Sequence, residues 1–291
     1  MPISYSVGAK LSFGEMGQYD PASQFFIYEA DEYDRNFLSF SPEVALISGI
    51  DWDHPDIYPT RQEYYAAFQE FIGQSQTTFI WQPDAQKLAL EPGQSVAILD
   101  DQQPEIENDI KLPGQVNRLN AWLVANGLKD IAGRDFDTLV DVMNRFTGIS
   151  RRFEAIAPNL YTDYAHTPAK IRGALQMAHE AAGDNVVVIY EGLHNTRQHF
   201  IKDELAHLFD HVKHLYIVPS YLARENKNQE LLTPEKILDL LSNSTKSKAD
   251  AANLDEDLNR NIRRHLSSGH LVLALSAGGG NSLDEWLRAN N

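Results

Sequence analysis

The stretch Phe25–Tyr58, FFIYEADEYDRNFLSFSPEVALISGIDWDHPDIY, decides how the rest of the chain reads. Two apolar runs in it, FFIY and VALIS, have the length and composition of buried strands. Each runs into acidic or metal-capable residues: Glu29, Asp31, Glu32 and Asp34 after the first, and Asp51, Asp53, His54 and Asp56 after the second. In an open parallel sheet, ligands sit in the crevice beyond the carboxyl ends of the strands. Two neighbouring strands that deliver carboxylates and an imidazole there point to a divalent cation and phosphates. The same residues also describe an acidic, solvated loop after each strand, with a histidine in a structural role.

Outward from this stretch, the 291 residues suffice for two domains with substantial cores. Lys plus Arg number 25 against 41 Asp plus Glu, a formal charge of −16 that repels nucleic acid and anionic lipid. The absence of cysteine excludes disulfides and thiolate chemistry and fits a reducing cytoplasm. No apolar run has the ~20 residues of a membrane span, and MPISYSVGAKLSFG lacks the layout of a signal peptide. The chain reads as soluble and cytoplasmic.

The spacing of Tyr64, Tyr65, Ala67, Phe68 and Phe71 predicts a helix over Thr60 to Phe71 whose aromatics enter a core. TTFIW and SVAILD read as short strands, and helices are expected from about Gln115 to Asn126, ending at Gly127, and from Phe136 to Arg145. From Glu154 on, strands (NLYTDY, NVVVIY, HLYIVP, HLVLALS) alternate with amphipathic helices, which specifies crossover units and a mostly parallel sheet. The fold class is α/β, with a boundary near Ser150 dividing residues 1–150 from 151–291. The polar stretch Ser242 to Ala252 reads as a surface loop.

The motifs EADEYD, WDHPDIY, GQVNRLNAW, GISRRFE, TDYAHTP and SAGGG, in this order and at these intervals, resemble the Mur ligases of bacterial peptidoglycan synthesis. The resemblance runs from about Gly8 to the C-terminus. It is strongest to the ligase joining L-alanine to UDP-N-acetylmuramate and to its recycling relative, which attaches a recovered tripeptide. It implies a truncated Mur-ligase-like central, ATP-binding domain followed by a Rossmann-like C-terminal domain. It also implies ATP-dependent amide formation through an acyl phosphate, with Mg²⁺, in which the protein positions reactants and neutralises charge.

Residue by residue, the resemblance casts Glu29 as the carboxylate of a first Mg²⁺ and His54 as the ligand of a second. Asn117 and Asn120, three residues apart on one helix face, correspond to the readers of adenine, with Val116 where the family usually has His. Arg152, next to Arg151, corresponds to the arginine on the ATP phosphates, Asp163 to the carboxylate on the ribose, and His166 to a residue near the reacting groups. His194, Asn195, Arg197, Arg224 and Glu225 fall where the family takes the incoming amino acid or peptide, and Leu193 stands where His or Arg is usual. Phe68 falls near a modified lysine that the two resembled types lack.

No Gly-x-x-x-x-Gly-Lys-[Ser/Thr] occurs in these residues, so the phosphate loop of the family is not among them. Three readings stay open: a C-terminal portion of a Mur ligase, one half of a split ligase, and a non-catalytic binding module. A central sheet without its phosphate-loop strand also predicts a homodimer or a partner chain covering the exposed edge.

Overall fold

The computed structural model describes residues 2–9, 11, 14–54, 56–223, 225–226 and 228–290. The chain divides into two compact units, one ending at Thr147 and the other starting at Gly148.

In the first unit, β1 (Ser4–Ser6), β2 (Gly17–Gln18) and β3 (Phe26–Tyr28) form a small sheet of order β2-β1-β3. A 3-10 stretch, Tyr33–Ser39, leads to β4 (Val44–Ile47), α1 (Arg61–Gln74), β5 (Thr77–Trp81), α2 (Gln82–Lys87) and β6 (Val96–Leu99). Next come α3 (Pro104–Asp109), α4 (Gln115–Leu128) and α5 (Phe136–Met143). A second, parallel sheet has the order β4-β5-β6.

The expectation that FFIY and VALIS lie side by side is corrected here. β3 pairs with β1, whereas β4 pairs with β5, so the two runs belong to different sheets. Nor is β3 buried: Phe26 is 58% and Ile27 48% exposed. Apolar composition alone does not distinguish an uncovered edge strand from a central one.

The β4-β5-β6 sheet is covered on both faces, and the side-chain alternation of β5 shows how. Ile80 points to a core with Tyr64, Phe68 and Phe71 of α1, while Phe79 and Trp81 point to one with Trp122, Leu123 and Leu139 of α4 and α5. Thr60 caps α1 by accepting from Glu63 N. Gly127, expected as a helix stop, instead lies within α4, where a Cβ would come 2.4 Å from a Leu46 methyl; its role is close packing onto β4.

The second unit is the expected alternation: β7 (Glu154–Ala157), β8 (Leu160–Asp163), α6 (Pro168–Ala182), β9 (Val186–Leu193), α7 (Asn195–Leu205) and β10 (His214–Tyr221). Then follow α8 (Pro234–Leu240), α9 (Asn243–Lys246), β11 (Ala249–Ala251), α10 (Glu256–Ser267), β12 (Leu271–Leu275) and α11 (Leu283–Asn290). The sheet order is β11-β10-β9-β12-β8-β7, parallel except for β7. β9 and β12 are buried along their whole length, with helices on both faces. The strand order reverses around β12, and that point fixes where a crevice can open.

The stretch Ser242 to Ala252 is not merely a loop. It holds α9 and the edge strand β11, and Thr245 is fully buried with its hydroxyl donating to Asp210. Hydrogen bonds from Ser242 and Thr245 pull the Asp210 carboxyl down to about 2. Small polar residues that bond one another inward look, in sequence, like solvated ones.

Candidate functional site

In the first unit, the loops after β3 and β4 are tied together by Tyr58. It is fully buried and donates from its hydroxyl to Glu32 O at 2.6 Å. Burial pushes this phenol up to about 12; Arg35 opposes that, while Glu32, Asp31 and Asp34 reinforce it. The tie brings one ligand atom each of Glu32, Asp53 and His54 within 4.8 Å of one another. His54 has a left-handed backbone (φ 55), and its Nε2 lies 3.8 Å from Glu32 Oε1 and 3.9 Å from Asp53 Oδ2. Asp53 is 6% exposed and accepts from His54 N through its other oxygen.

Two carboxylates and an imidazole, with the carboxylates dominant, suit a hard divalent cation that keeps several waters. Glu29 is outside this trio: it is exposed, and its carboxylate accepts from Gly8 N. The structure thus brings His54 together with Glu32 and Asp53. The sequence reading had set those two among acidic loop residues.

Asn117 and Asn120 lie on α4, both half-buried. The Asn117 amide donates back to Pro113 O at 2.8 Å, across a turn that needs Gly114 at φ 83. Val116 is 48% exposed at the same end of the helix.

In the second unit, the functional candidates gather at the carboxyl ends of β8, β9 and β12. Asp163, the last residue of β8, is 7% exposed; Oδ2 accepts from Phe153 N and Oδ1 from Ala165 N, both at 2.8 Å. Burial raises its pKa against those two bonds and the Arg152 charge. These contacts make it the anchor of the turn leading to His166. His166 is 8% exposed and donates from Nδ1 to Tyr164 O at 2.9 Å, which leaves Nε2 as the acceptor nitrogen of the ring.

The two arginines divide their roles. Both guanidiniums lie over the Tyr164 ring, Arg151 at 4.8 Å and Arg152 at 5.0 Å. Arg151 turns inward: Nη2 donates to Ser276 O at 2.7 Å and Gly278 O at 2.9 Å, and Nε lies 3.6 Å from Asp284 Oδ2. Arg152 is exposed.

The glycine loop after β12 is held closely as well. A Cβ on Gly278 would lie 2.6 Å from the Tyr221 ring, and one on Gly279 3.1 Å from the Tyr221 hydroxyl. Sequence reasoning missed the group beneath it. Glu191, 3% exposed on β9, accepts from Ser276 Oγ at 2.6 Å and from Leu283 N at 2.8 Å, and burial raises its pKa. The available signal was a carboxylate inside the otherwise apolar run VVVIYEGL.

Of the residues expected to take the incoming amino acid, Asn195 and Glu225 are engaged in architecture. Asn195 is 3% exposed; its amide donates to Glu230 O and its carbonyl accepts from Leu232 N, both at 2.9 Å. Glu225 accepts from Asn195 N, Thr196 N and Ala223 N and so closes the amino end of α7. His194 (φ 57) bonds through its backbone N to Tyr221 O, and Arg197 is half-buried on α7. Arg224 lies outside the described residues.

Residues 151–278 match the family "Mur ligase, glutamate ligase domain". A UDP-N-acetylmuramate–L-alanine ligase of Roseiflexus sp. (strain RS-1) is 29% identical over 257 residues, 71% of this chain and 54% of the relative. One of Paenarthrobacter aurescens (strain TC1) is 27% identical over 311 residues, 94% of this chain and 66% of the relative. The chain therefore spans about half to two thirds of these relatives' length. Its fold is shared with a UDP-N-acetylmuramate–alanine ligase from Thermotoga maritima, at TM-score 0.67 and 22% identity over 95% of this chain and 66% of that one. A murein peptide ligase from Psychrobacter arcticus gives TM-score 0.58 and 20% identity over 95% and 69%. Residues 151–278 thus match that family's model, and the chain as a whole is similar in sequence to UDP-N-acetylmuramate–L-alanine ligases and shares the fold of Mur ligases.

Proposed function

We propose that this chain carries the acceptor and nucleotide-clamping part of an ATP-dependent ligase that joins L-alanine or a short peptide to UDP-N-acetylmuramate. The observation that carries the reading is the gathering of an exposed Arg152, a buried Asp163, an oriented His166 and a tightly held glycine loop at the carboxyl ends of β8 and β12. The alanine-adding relatives support the substrate class.

In this reading Arg152 supplies a permanent positive fork for phosphate, and Asp163 fixes the turn that presents His166 while accepting from a ribose hydroxyl. His166 Nε2, as acceptor, is suited to take a proton from the attacking amine. Asn117 and Asn120 are the side chains that the resemblance assigns to the adenine. Glu32, Asp53 and His54 would hold Mg²⁺, which supplies charge neutralisation at the transferring phosphoryl group; Glu29 is the resemblance's candidate for a further ion. His194, Arg197 and Arg224 are the side chains assigned to the incoming amino acid. Asn195 and Glu225 act by shaping the loop that carries it.

In this reading the phosphate loop comes from residues outside these 291, on the same or another polypeptide, and the reaction is assigned to the cytoplasm. No helix among the described residues is long and apolar enough to cross a membrane. The exposed Phe26, Ile27 and Phe40 favour a second copy or partner chain over the edge formed by β3, which sedimentation velocity tests.

The test is phosphate release from ATP with UDP-N-acetylmuramate plus L-alanine or the tripeptide, with and without a chain bearing the loop. Turnover only with the loop supports the proposal. Failure in both, with tight binding of a cell-wall peptide, assigns a non-catalytic binding module instead.

A further inference from the structure

At the amino ends of the strands of the second unit, opposite the site just described, lies a group of histidines that the ligase chemistry does not use. Helix α10 ends in a left-handed glycine, Gly269 (φ 77). Gly269 N donates to Leu266 O at 3.0 Å, and His270 N reaches back to His265 O at 3.1 Å. These two bonds make the Schellman closure, which brings the side chains at the positions of His265 and His270 together, ordinarily as an apolar pair. Here both are imidazoles, with their Nδ1 atoms 3.0 Å apart. Backbone bonds and one glycine therefore fix the approach of the two rings, independently of the side chains themselves.

Their surroundings complete the picture. His265 Nε2 lies 3.0 Å from the Tyr216 hydroxyl on β10. The His214 ring is 5.6 Å from that of His265, and His214 Nε2 is 3.1 Å from Asp250 Oδ2 on β11. All three histidines are half-buried, so an ion in solvent can reach them. Lys213 and Arg264 are the neighbouring cations and Asp250 is the neighbouring anion.

We propose that His265 and His270 form a two-histidine chelate for a borderline divalent cation of the Zn²⁺, Ni²⁺ or Cu²⁺ class, bound through the two Nδ1 atoms. Imidazole nitrogen selects these ions over Mg²⁺ and Ca²⁺. At a metal–nitrogen distance of about 2.0–2.1 Å, tetrahedral ligands stand roughly 3.3 Å apart, so the present separation needs to open by only about 0.3 Å. With both Nδ1 atoms on the ion, each Nε2 carries the hydrogen. His265 then donates it to the Tyr216 hydroxyl already in place, the outer hydrogen bond that orients ligating histidines. His214 is the nearest further imidazole.

The experiment is calorimetric titration of Zn²⁺ into the whole chain and into three variants: His54→Ala, His265→Gln/His270→Gln and His265→Leu/His270→Leu. The leucine pair restores the apolar contact usual in this closure, so it preserves the fold, which circular dichroism checks. The expected result is one equivalent of Zn²⁺ retained in His54→Ala and weakened by about tenfold or more in both double variants. In the parent, the side-chain ¹⁵N signals of His265 and His270 shift on adding Zn²⁺. A parent that binds no Zn²⁺, double variants that bind as the parent does, or loss of the bound ion in His54→Ala alone would each overturn the proposal.

Discussion

Replacing Gly278 and Gly280 separately by alanine tests whether the glycine loop is built around Tyr221. A Cβ on Gly278 would lie 2.6 Å from Tyr221 Cδ2, 2.7 Å from its Cγ and 2.8 Å from Ser282 Cβ. Cγ is one bond from the Tyr221 backbone-bound carbon, so turning the ring about its own axis does not relieve the clash. Ser282 is 1% exposed and has nowhere to go. Neither glycine has a positive φ, so the contrast is one of space alone. Overpacking of this kind costs about 1–3 kcal/mol, enough to lower the melting temperature of the second unit by roughly 5 °C.

At Gly280 nothing lies within 4 Å of the added carbon, so the restricted unfolded chain should make Gly280→Ala stabilising by about 0.5 kcal/mol. Thermal unfolding followed by near-ultraviolet circular dichroism reads both variants, and Tyr221→Ala combined with Gly278→Ala should recover about 1 kcal/mol of the loss. Equal stability of the two single variants would refute the reasoning.

Other outcomes follow from the same geometry. Burial keeps the Glu191 carboxyl protonated to higher pH in the folded chain than in the unfolded one, so its contribution to stability falls as pH rises through and above the ordinary carboxyl range. Denaturant unfolding from about pH 4 to 7 should therefore show Glu191→Gln gaining on the parent as pH rises, and a constant difference would contradict this. Arg151→Ala should cost about 2 kcal/mol of stability by abandoning two carbonyls, whereas Arg152→Ala should leave melting unchanged and, on the proposed function, weaken nucleotide binding. Without nucleotide, Mn²⁺ binding followed by electron paramagnetic resonance should weaken about tenfold in Glu32→Ala, Asp53→Ala and His54→Ala and stay unchanged in Glu29→Ala; a deficit in Glu29→Ala would return that residue to the trio's ion.

The second unit was legible because its signals are strong and local: fully apolar runs for β9 and β12, helical periods between them, and Pro168 and Pro234 at helix starts. Pairing between strands is a long-range property, and there the reading failed. FFIY and VALIS share a composition but not a sheet, because nothing within four residues records which neighbour supplies the hydrogen bonds. The site divided in the same way. The motif around His54 marks it as a candidate, but its closeness to Glu32 depends on Tyr58 bridging two loops. Arg151 and Arg152 are adjacent and chemically identical, and only the fold decides which one faces Ser276 O. Glu191 could have been suspected from its apolar surroundings; its partners, Ser276 and Leu283, lie more than eighty residues away.

β12 sits between β8 and β9, although it follows β9 by about eighty and β8 by about a hundred and ten residues in the chain. The two earlier strands have no native edge to share until it arrives, so the sheet cannot zip up progressively as the polypeptide leaves the ribosome. Its closure is a late, long-loop event. A nascent chain stalled before Leu271 should expose the two flanks of an unfilled slot, and chaperone demand should peak at that moment of synthesis.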